Sequence, residues 1–190
     1  ISGDMLLSSL VNLGADKNKI IEGIIKSQKF LSGSTIKKMD FQKIEKQGIE
    51  STELILEIDE NVSKRKGIEI KKAISESVNE LNLTTKAKVF AELCISTLIS
   101  SESKIHGISE DSVHFHEASS IDTLVDIVGT TIALDDLRLF EEKIVCLPVS
   151  VGGGTVSFSH GTMSNPASAV LQIFKNSNLN IQGNNSKEEL

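Results

Sequence analysis

The chain has 190 residues, 39% of them hydrophobic and 24% charged, with a formal net charge of −6, a mean hydropathy of −0.02 and a pI near 5.3. That balance suits a soluble globular protein with one sizeable core or two small ones. It disfavours nucleic-acid binding: an acidic chain has no stripe of cations to neutralise phosphates and, lacking Trp and Tyr, offers only seven Phe for base stacking. No apolar run is long enough to cross a bilayer, so a cytoplasmic setting without membrane contact is expected. There Cys94 and Cys146, far apart in sequence, read as buried small hydrophobes rather than as a disulfide.

Ser2 is placed to cap an amphipathic helix carrying Leu6, Leu7, Leu10, Val11 and Leu13, which Gly14 stops. The Ser2-Gly3 helix start offers amide N–H groups to an anion, with Asp4 beside it able to meet a metal or a hydroxyl. Asp16 caps a second helix to about Ser27, with Ile20, Ile21, Ile24 and Ile25 as its buried stripe, and the two helices read as a helical hairpin. From Ile36 the period changes to two, and residues on either side of Gln47-Gly48 form an antiparallel hairpin with no catalytic group in it. A small sub-domain over 36–82 is conceivable within a single domain. Lys64-Arg65-Lys66 reads as a solvated basic loop before a helix from about Ile68 to Leu81. Thr84 or Thr85 then caps a longer helix to about Ile105, with Val89, Phe90, Leu93, Cys94, Thr97 and Leu98 as its core face and His106-Gly107 at its end.

The densest chemistry follows. If 112–116 is extended, Val113 and Phe115 face the core, and His114 and His116 project together from the other side. Glu117 comes next, and Ser119 or Ser120 caps a helix over Ile121 to Leu137 in which Asp122 and Asp126 stand one turn apart on a single face. Two imidazoles and three carboxylates suit a divalent transition metal such as zinc, nickel, copper or iron, held without a thiolate cage. Glu142 to Val151 reads as an inner strand that delivers the chain to Gly152-Gly153-Gly154, where successive amides can form an anion nest. His160 lies just beyond on a loop. A helix after Pro166 with Ala169, Val170, Ile173 and Phe174 inward and a strand from Leu179 complete the expectation. The fold class expected is α+β, mixed α/β, with about five helices packed on a small mixed sheet plus the hairpin, and the helix from Ile121 lying on that sheet.

Four stretches, in order and at similar gaps, resemble the LarC family of nickel-insertion proteins: Ile1-Ser2-Gly3-Asp4-Met5-Leu6-Leu7, Asn12-Leu13-Gly14-Ala15, His114-Phe115-His116-Glu117 with Ile121 to Gly129, and Val151-Gly152-Gly153-Gly154 through His160-Gly161. Ala118-Ser119-Ser120 and the run from Ser164 to Ala169 depart from the family pattern without removing a proposed ligand. The resemblance implies a nickel chelatase of the lyase class that loads Ni2+ into a pyridinium-3,5-bisthiocarboxylic acid mononucleotide, completing the nickel-pincer cofactor of lactate racemase. It also implies a longer chain whose C-terminal domain binds CTP with a divalent ion, so that this sequence corresponds to the N-terminal portion. The implied partners are the mononucleotide and a lactate-racemase-like apoenzyme or cofactor-synthesis proteins, with self-association left open. On residue chemistry at motif-matching positions, the expected metal ligands are His114, His116, Glu117, Asp122, Asp126 and His160. Ser2, Gly3, Gly152, Gly153 and Gly154 are expected to receive the mononucleotide, and no residue is expected to act as an acid, base or nucleophile. Two other readings are a metal-dependent phosphoester hydrolase using the same ligands and a non-catalytic assembly module with an acidic face.

Overall fold

The computed structural model describes residues 2–115, 120–158 and 161–183. Within them the chain forms α1 (Gly3–Leu13), α2 (Lys17–Ser27), β1 (Ser34–Lys46), β2 (Ile49–Glu60), β3 (Arg65–Lys66), α3 (Gly67–Glu80), α4 (Thr85–His106), β4 (His114–Phe115), α5 (Ile121–Asp136), β5 (Val149–Val151), β6 (Thr155–Phe158), β7 (Gly161–Ser164), α6 (Ser168–Lys175) and β8 (Ile181–Gly183). The α+β class holds, but the single sheet does not. The strands pair two by two: β1 with β2, β3 with β4, β5 with β8 and β6 with β7.

The organising element is α5. Ile121, Leu124, Val125, Val128 and Ala133 have no exposed surface, Ile132 has 2%, and Gly129, Thr130 and Thr131 are also buried. A helix covered on nearly all sides belongs inside a helical body, and α1, α2, α3 and α4 all pack against it. The expectation that it lies on a sheet is therefore corrected. Each fully buried aliphatic contributes about 1.5–3 kcal/mol relative to exposure, so this helix carries much of the core. The proposed pairing of α1 with α2 is corrected too, since α1 packs on α5 and β2 and α2 packs chiefly on α5.

Local signals set most of the boundaries. Asp16 Oδ1 accepts the N–H groups of Asn18 and Lys19 at 2.9 and 3.4 Å, Thr84 Oγ1 accepts that of Ala87 at 3.3 Å, and Gly107 closes α4 in the left-handed region at φ 64°. The long hairpin turns at Gln47 and Gly48, both at positive φ, which matches the twist of the flanking strands. Some predicted faces are rotated. In α4 the buried line is Ala87, Ala91, Ile95 and Ile99, while Val89 and Leu93 are exposed; small alanines let α4 approach its neighbours, and the bulkier residues turn outward. In α2, Ile25 lies outside the stripe for the same geometric reason, being off the Ile20–Ile24 line.

Arg65 is the clearest departure inside the body. Instead of standing in a solvated basic loop it is 5% exposed, donating to Ser32 O at 2.7 Å, Ser34 Oγ at 2.6 Å and Glu60 Oε1 at 2.9 Å. Beyond residue 141 the expected inner strand shrinks to Val149–Val151. Ile144, Val145 and Leu147 are 66%, 71% and 79% exposed, so their apolar character does not mark a core strand. Cys146 is exposed too, and both cysteines are free thiols. In α6, Val170 and Leu171 are exposed and no residue is fully buried. No described helix is long and apolar enough to cross a membrane.

Candidate functional site: a carboxylate cavity between two helix starts

The N-termini of α1 and α5 meet at a cavity of about 530 Å³ closed on one side by the hairpin. Three carboxylates line it: Asp4 from the first turn of α1, and Asp122 and Asp126 from α5. Ser2, Gly3 and Ser120 supply the two helix starts, and Leu54, Leu56 and Ile58 of β2 form the facing wall.

Each side chain is delivered by a local cause. Ser120 Oγ accepts the Asp122 N–H at 3.3 Å, capping α5 as expected, so Asp122 and Asp126 project one turn apart toward α1. Glu60 fixes the same helix start from outside by accepting the Ile121 N–H at 3.1 Å. Burial pushes the Glu60 carboxyl up, but hydrogen bonds from Arg65, Ser34 and Ile121 outweigh it and hold the group below its ordinary range. At the other helix, Ser2 does not cap with its hydroxyl; it donates to Asp4 Oδ1, which also accepts the Met5 N–H. Gly3 permits close approach of the two helix starts, since a Cβ there would overlap the Asp126 carboxyl group, which would have to shift.

The electrostatics are adverse as they stand. Burial, then the charges of Asp122 and Asp4, push the Asp126 carboxyl up to about 7. Burial, then Asp4, pushes Asp122 upward as well. Among the described residues Asp126 Oδ1 is a buried oxygen with no hydrogen-bond partner, which costs free energy unless something fills the site. A carboxyl perturbed by burial and by neighbouring charges inside a cavity is a candidate functional group. Among the described residues no three His, Cys, Asp or Glu side chains are drawn together closely enough to hold a metal ion, so the three acids share a cavity without converging on one point.

The structure brings together only some of the residues singled out from sequence. Ser2, Gly3, Asp122 and Asp126 line one cavity. His114 does not join them: Val113 and Phe115 are buried at 1% and 3%, the intervening His114 is turned to the exposed side, and β4 pairs with β3 so that His114 stands opposite Lys66. Gly152, Gly153 and Gly154 connect β5 to β6 and do not line the cavity. His116, Glu117 and His160 lie outside the described residues. The hairpin, expected to be chemically idle, supplies a wall of the site. Its alternation places Leu54, Leu56 and Ile58 on one face, but alternation alone cannot say which face meets a cavity. Asp4 stands in the first turn of α1, next to Gly3, and only the fold shows that it shares a cavity with Asp122 and Asp126.

Comparison with known proteins gives this geometry a context. The chain is 35% identical over 177 residues to the pyridinium-3,5-bisthiocarboxylic acid mononucleotide nickel insertion protein of Staphylococcus saprophyticus, an alignment covering 92% of this chain and 42% of that one. It is 34% identical over 184 residues to the protein of the same name from Clostridium kluyveri, covering 93% and 45%, and 35% identical over 175 residues to that of Staphylococcus epidermidis, covering 92% and 42%. The chain thus spans less than half the length of these curated relatives. No solved structure matches it. The family model for nickel insertion proteins matches residues 1–190, and the chain therefore belongs to the nickel insertion protein family.

Proposed function

We propose that this chain takes up nickel at the Asp4, Asp122 and Asp126 cavity and holds it for insertion into a pyridinium-3,5-bisthiocarboxylic acid mononucleotide, the compound in the names of its relatives. The observation that carries this reading is Asp126, a half-buried carboxyl whose buried oxygen has no partner among the described residues and which stands beside two further acids. Three carboxylates repel one another in a partly desolvated pocket, and a divalent cation turns that repulsion into attraction. Oxygen donors hold nickel less firmly than sulfur donors, so exchange toward a thiocarboxylate runs downhill. Because the acids do not converge by themselves, His116 and Glu117, in the four residues joining Phe115 to Ser120, are proposed to complete the donor set. His160 remains a proposed ligand, His114 is left out of the set because it faces away from the cavity, and Gly152, Gly153 and Gly154 remain proposed contacts to the mononucleotide phosphate. CTP with a divalent ion and an apoenzyme or cofactor-synthesis partner belong to the proposal through the family resemblance alone, and a cytoplasmic setting through the chain's composition.

Calorimetric titration with nickel chloride at pH 7.5 tests the site. Asp126→Ala and Asp122→Ala are expected to weaken binding at least about tenfold each, the loss of one charged ligand being worth more than about 1.4 kcal/mol. Wild-type affinity in an Asp4→Ala/Asp126→Ala double variant would remove the carboxylate site.

A further inference from the structure

We propose that the cavity has two chemically distinct walls that fill in a fixed order: the cation first on the acid wall, then the flat pyridinium ring of the mononucleotide against Leu54, Leu56 and Ile58. This rests on the nickel reading above. The cavity is too large for an ion alone. An ion with six waters needs roughly 200 Å³ at about 30 Å³ per water, whereas the cavity measures about 530 Å³, within the usual range of about 300–1,000 Å³ for small-molecule sites. An ion alone leaves most of it unused.

The facing wall is aliphatic. Leu54, Leu56 and Ile58 alternate along β2 on one face and so form an aliphatic strip roughly 13 Å long, at about 3.3 Å per residue. All three are only partly buried, so apolar surface is left over for the cavity they line. A flat heteroaromatic ring covers such a strip; a hydrated ion does not.

Charge sets the order. The compound named in the relatives combines a cationic ring with two thiocarboxylic acid groups and a phosphate, so it arrives with net negative charge. Against Asp4, Asp122 and Asp126 that charge is repelled, and the ring's single positive charge does not offset it. A bound dication reverses the sign at the acid wall, after which the anionic groups are attracted to it and the ring is brought onto the aliphatic strip.

The test uses nicotinate mononucleotide, a pyridinium mononucleotide whose lone ring carboxylate chelates metal weakly, titrated into nickel-free and nickel-loaded protein. Nickel binding alone is measured first: if the wild-type protein binds none, the nickel reading fails and the order of filling falls with it. With nickel binding established, affinity for the mononucleotide is expected to rise about tenfold or more when nickel is present, a coupling in the usual range. Asp122→Asn is expected to raise the nickel-free affinity by relieving repulsion. Leu56→Thr, which keeps strand propensity, is expected to weaken mononucleotide binding several-fold, with a thermal melt confirming the fold. Equal mononucleotide affinity with and without nickel, or unchanged affinity in a folded Leu56→Thr protein, overturns this proposal and leaves the nickel site itself standing.

Discussion

The two ends of α5 carry the same residue type in opposite circumstances. At the C-terminal end, Asp136 accepts the Asp16 N–H and the Lys19 ammonium, both at 2.9 Å, and Asp135 accepts the N–H and hydroxyl of Thr84. These acids tie the starts of α2 and α4 to the central helix, and the Asp16 N–H and then Lys19 hold the Asp136 carboxyl below its ordinary value. At the N-terminal end, Asp122 and Asp126 face another acid and are pushed the other way. Structural acids find partners within the protein. Among the described residues the acids at the N-terminal end have no such partners, and partners from outside the chain would stabilise that end most.

Taking away what holds the N-terminal end in place should have the largest effect. Arg65→Ala leaves Glu60 without its cation in a setting where the two side chains are 4% and 20% exposed, and breaking a buried pair from one side costs about 3–5 kcal/mol. Since Glu60 also holds the Ile121 N–H, urea denaturation should show this loss together with weakened nickel uptake, whereas a loss under 1 kcal/mol would mean that the pair is not a clamp.

Gly3→Ala comes next. The new methyl overlaps the Asp126 carboxyl, and overpacking of this kind costs about 1–3 kcal/mol, more than the gain of about 1 kcal/mol in helix propensity. A double-mutant cycle with Asp126→Ala sharpens the point, because removing the carboxyl should return most of the loss. Additive effects would place the strain elsewhere.

A pH series separates the two ends by sign. The folded-state value of Asp126, about 7, lies above its ordinary 3.8, so between those values the folded protein binds more protons than the unfolded chain and stability falls as pH rises. Asp126→Asn removes that term: it should match the wild type near pH 4 and exceed it above pH 7 by about 2 kcal/mol, after allowing for screening at a partly exposed group. Asp136, held low, acts only below its ordinary value, where its stabilising contribution is lost as the pH falls. Melting temperatures of the two proteins from pH 4.5 to 8 decide this; parallel curves would mean that Asp126 titrates normally.

The sequence made the stronger periodic signals legible. Asp16, Thr84 and Ser120 act as helix caps, the hairpin turns at Gln47-Gly48, and the pair Asp122 and Asp126 reaches a cavity. What it concealed depends on long-range packing. Nothing in Lys64-Arg65-Lys66 itself says that the middle cation is buried: Glu60 is close in sequence, but the Ser32 and Ser34 acceptors are brought beside it only by the pairing of β1 with β2. Nor does the apolar run from Ile144 to Leu147 reveal that its residues are exposed. Helical periodicity placed Val89 and Leu93 on the core side of α4 since it registers large residues more readily than the small alanines that pack there. Alternation sets His114 opposite in face to Val113 and Phe115, yet which surface that face meets is set by the pairing of β4 with β3.

The smallest effect tests the partnered end of α5. Asp136→Asn keeps the shape of the side chain and an oxygen to accept the Asp16 N–H, but it removes the charge from the pair with Lys19, whose members are 49% and 22% exposed. A pair of that exposure contributes about 0.2–1 kcal/mol, and the charge on the hydrogen bond to the Asp16 amide adds a few tenths more. The expected outcome is a loss of about 1 kcal/mol at pH 7 that shrinks with added salt, against the gain from the same chemical change at Asp126. Opposite signs for one substitution at two positions on one helix can arise only if their surroundings differ as described. If both variants lose stability at pH 8, the unpartnered oxygen of Asp126 is being satisfied within the protein, and the cavity loses its claim to an outside cation.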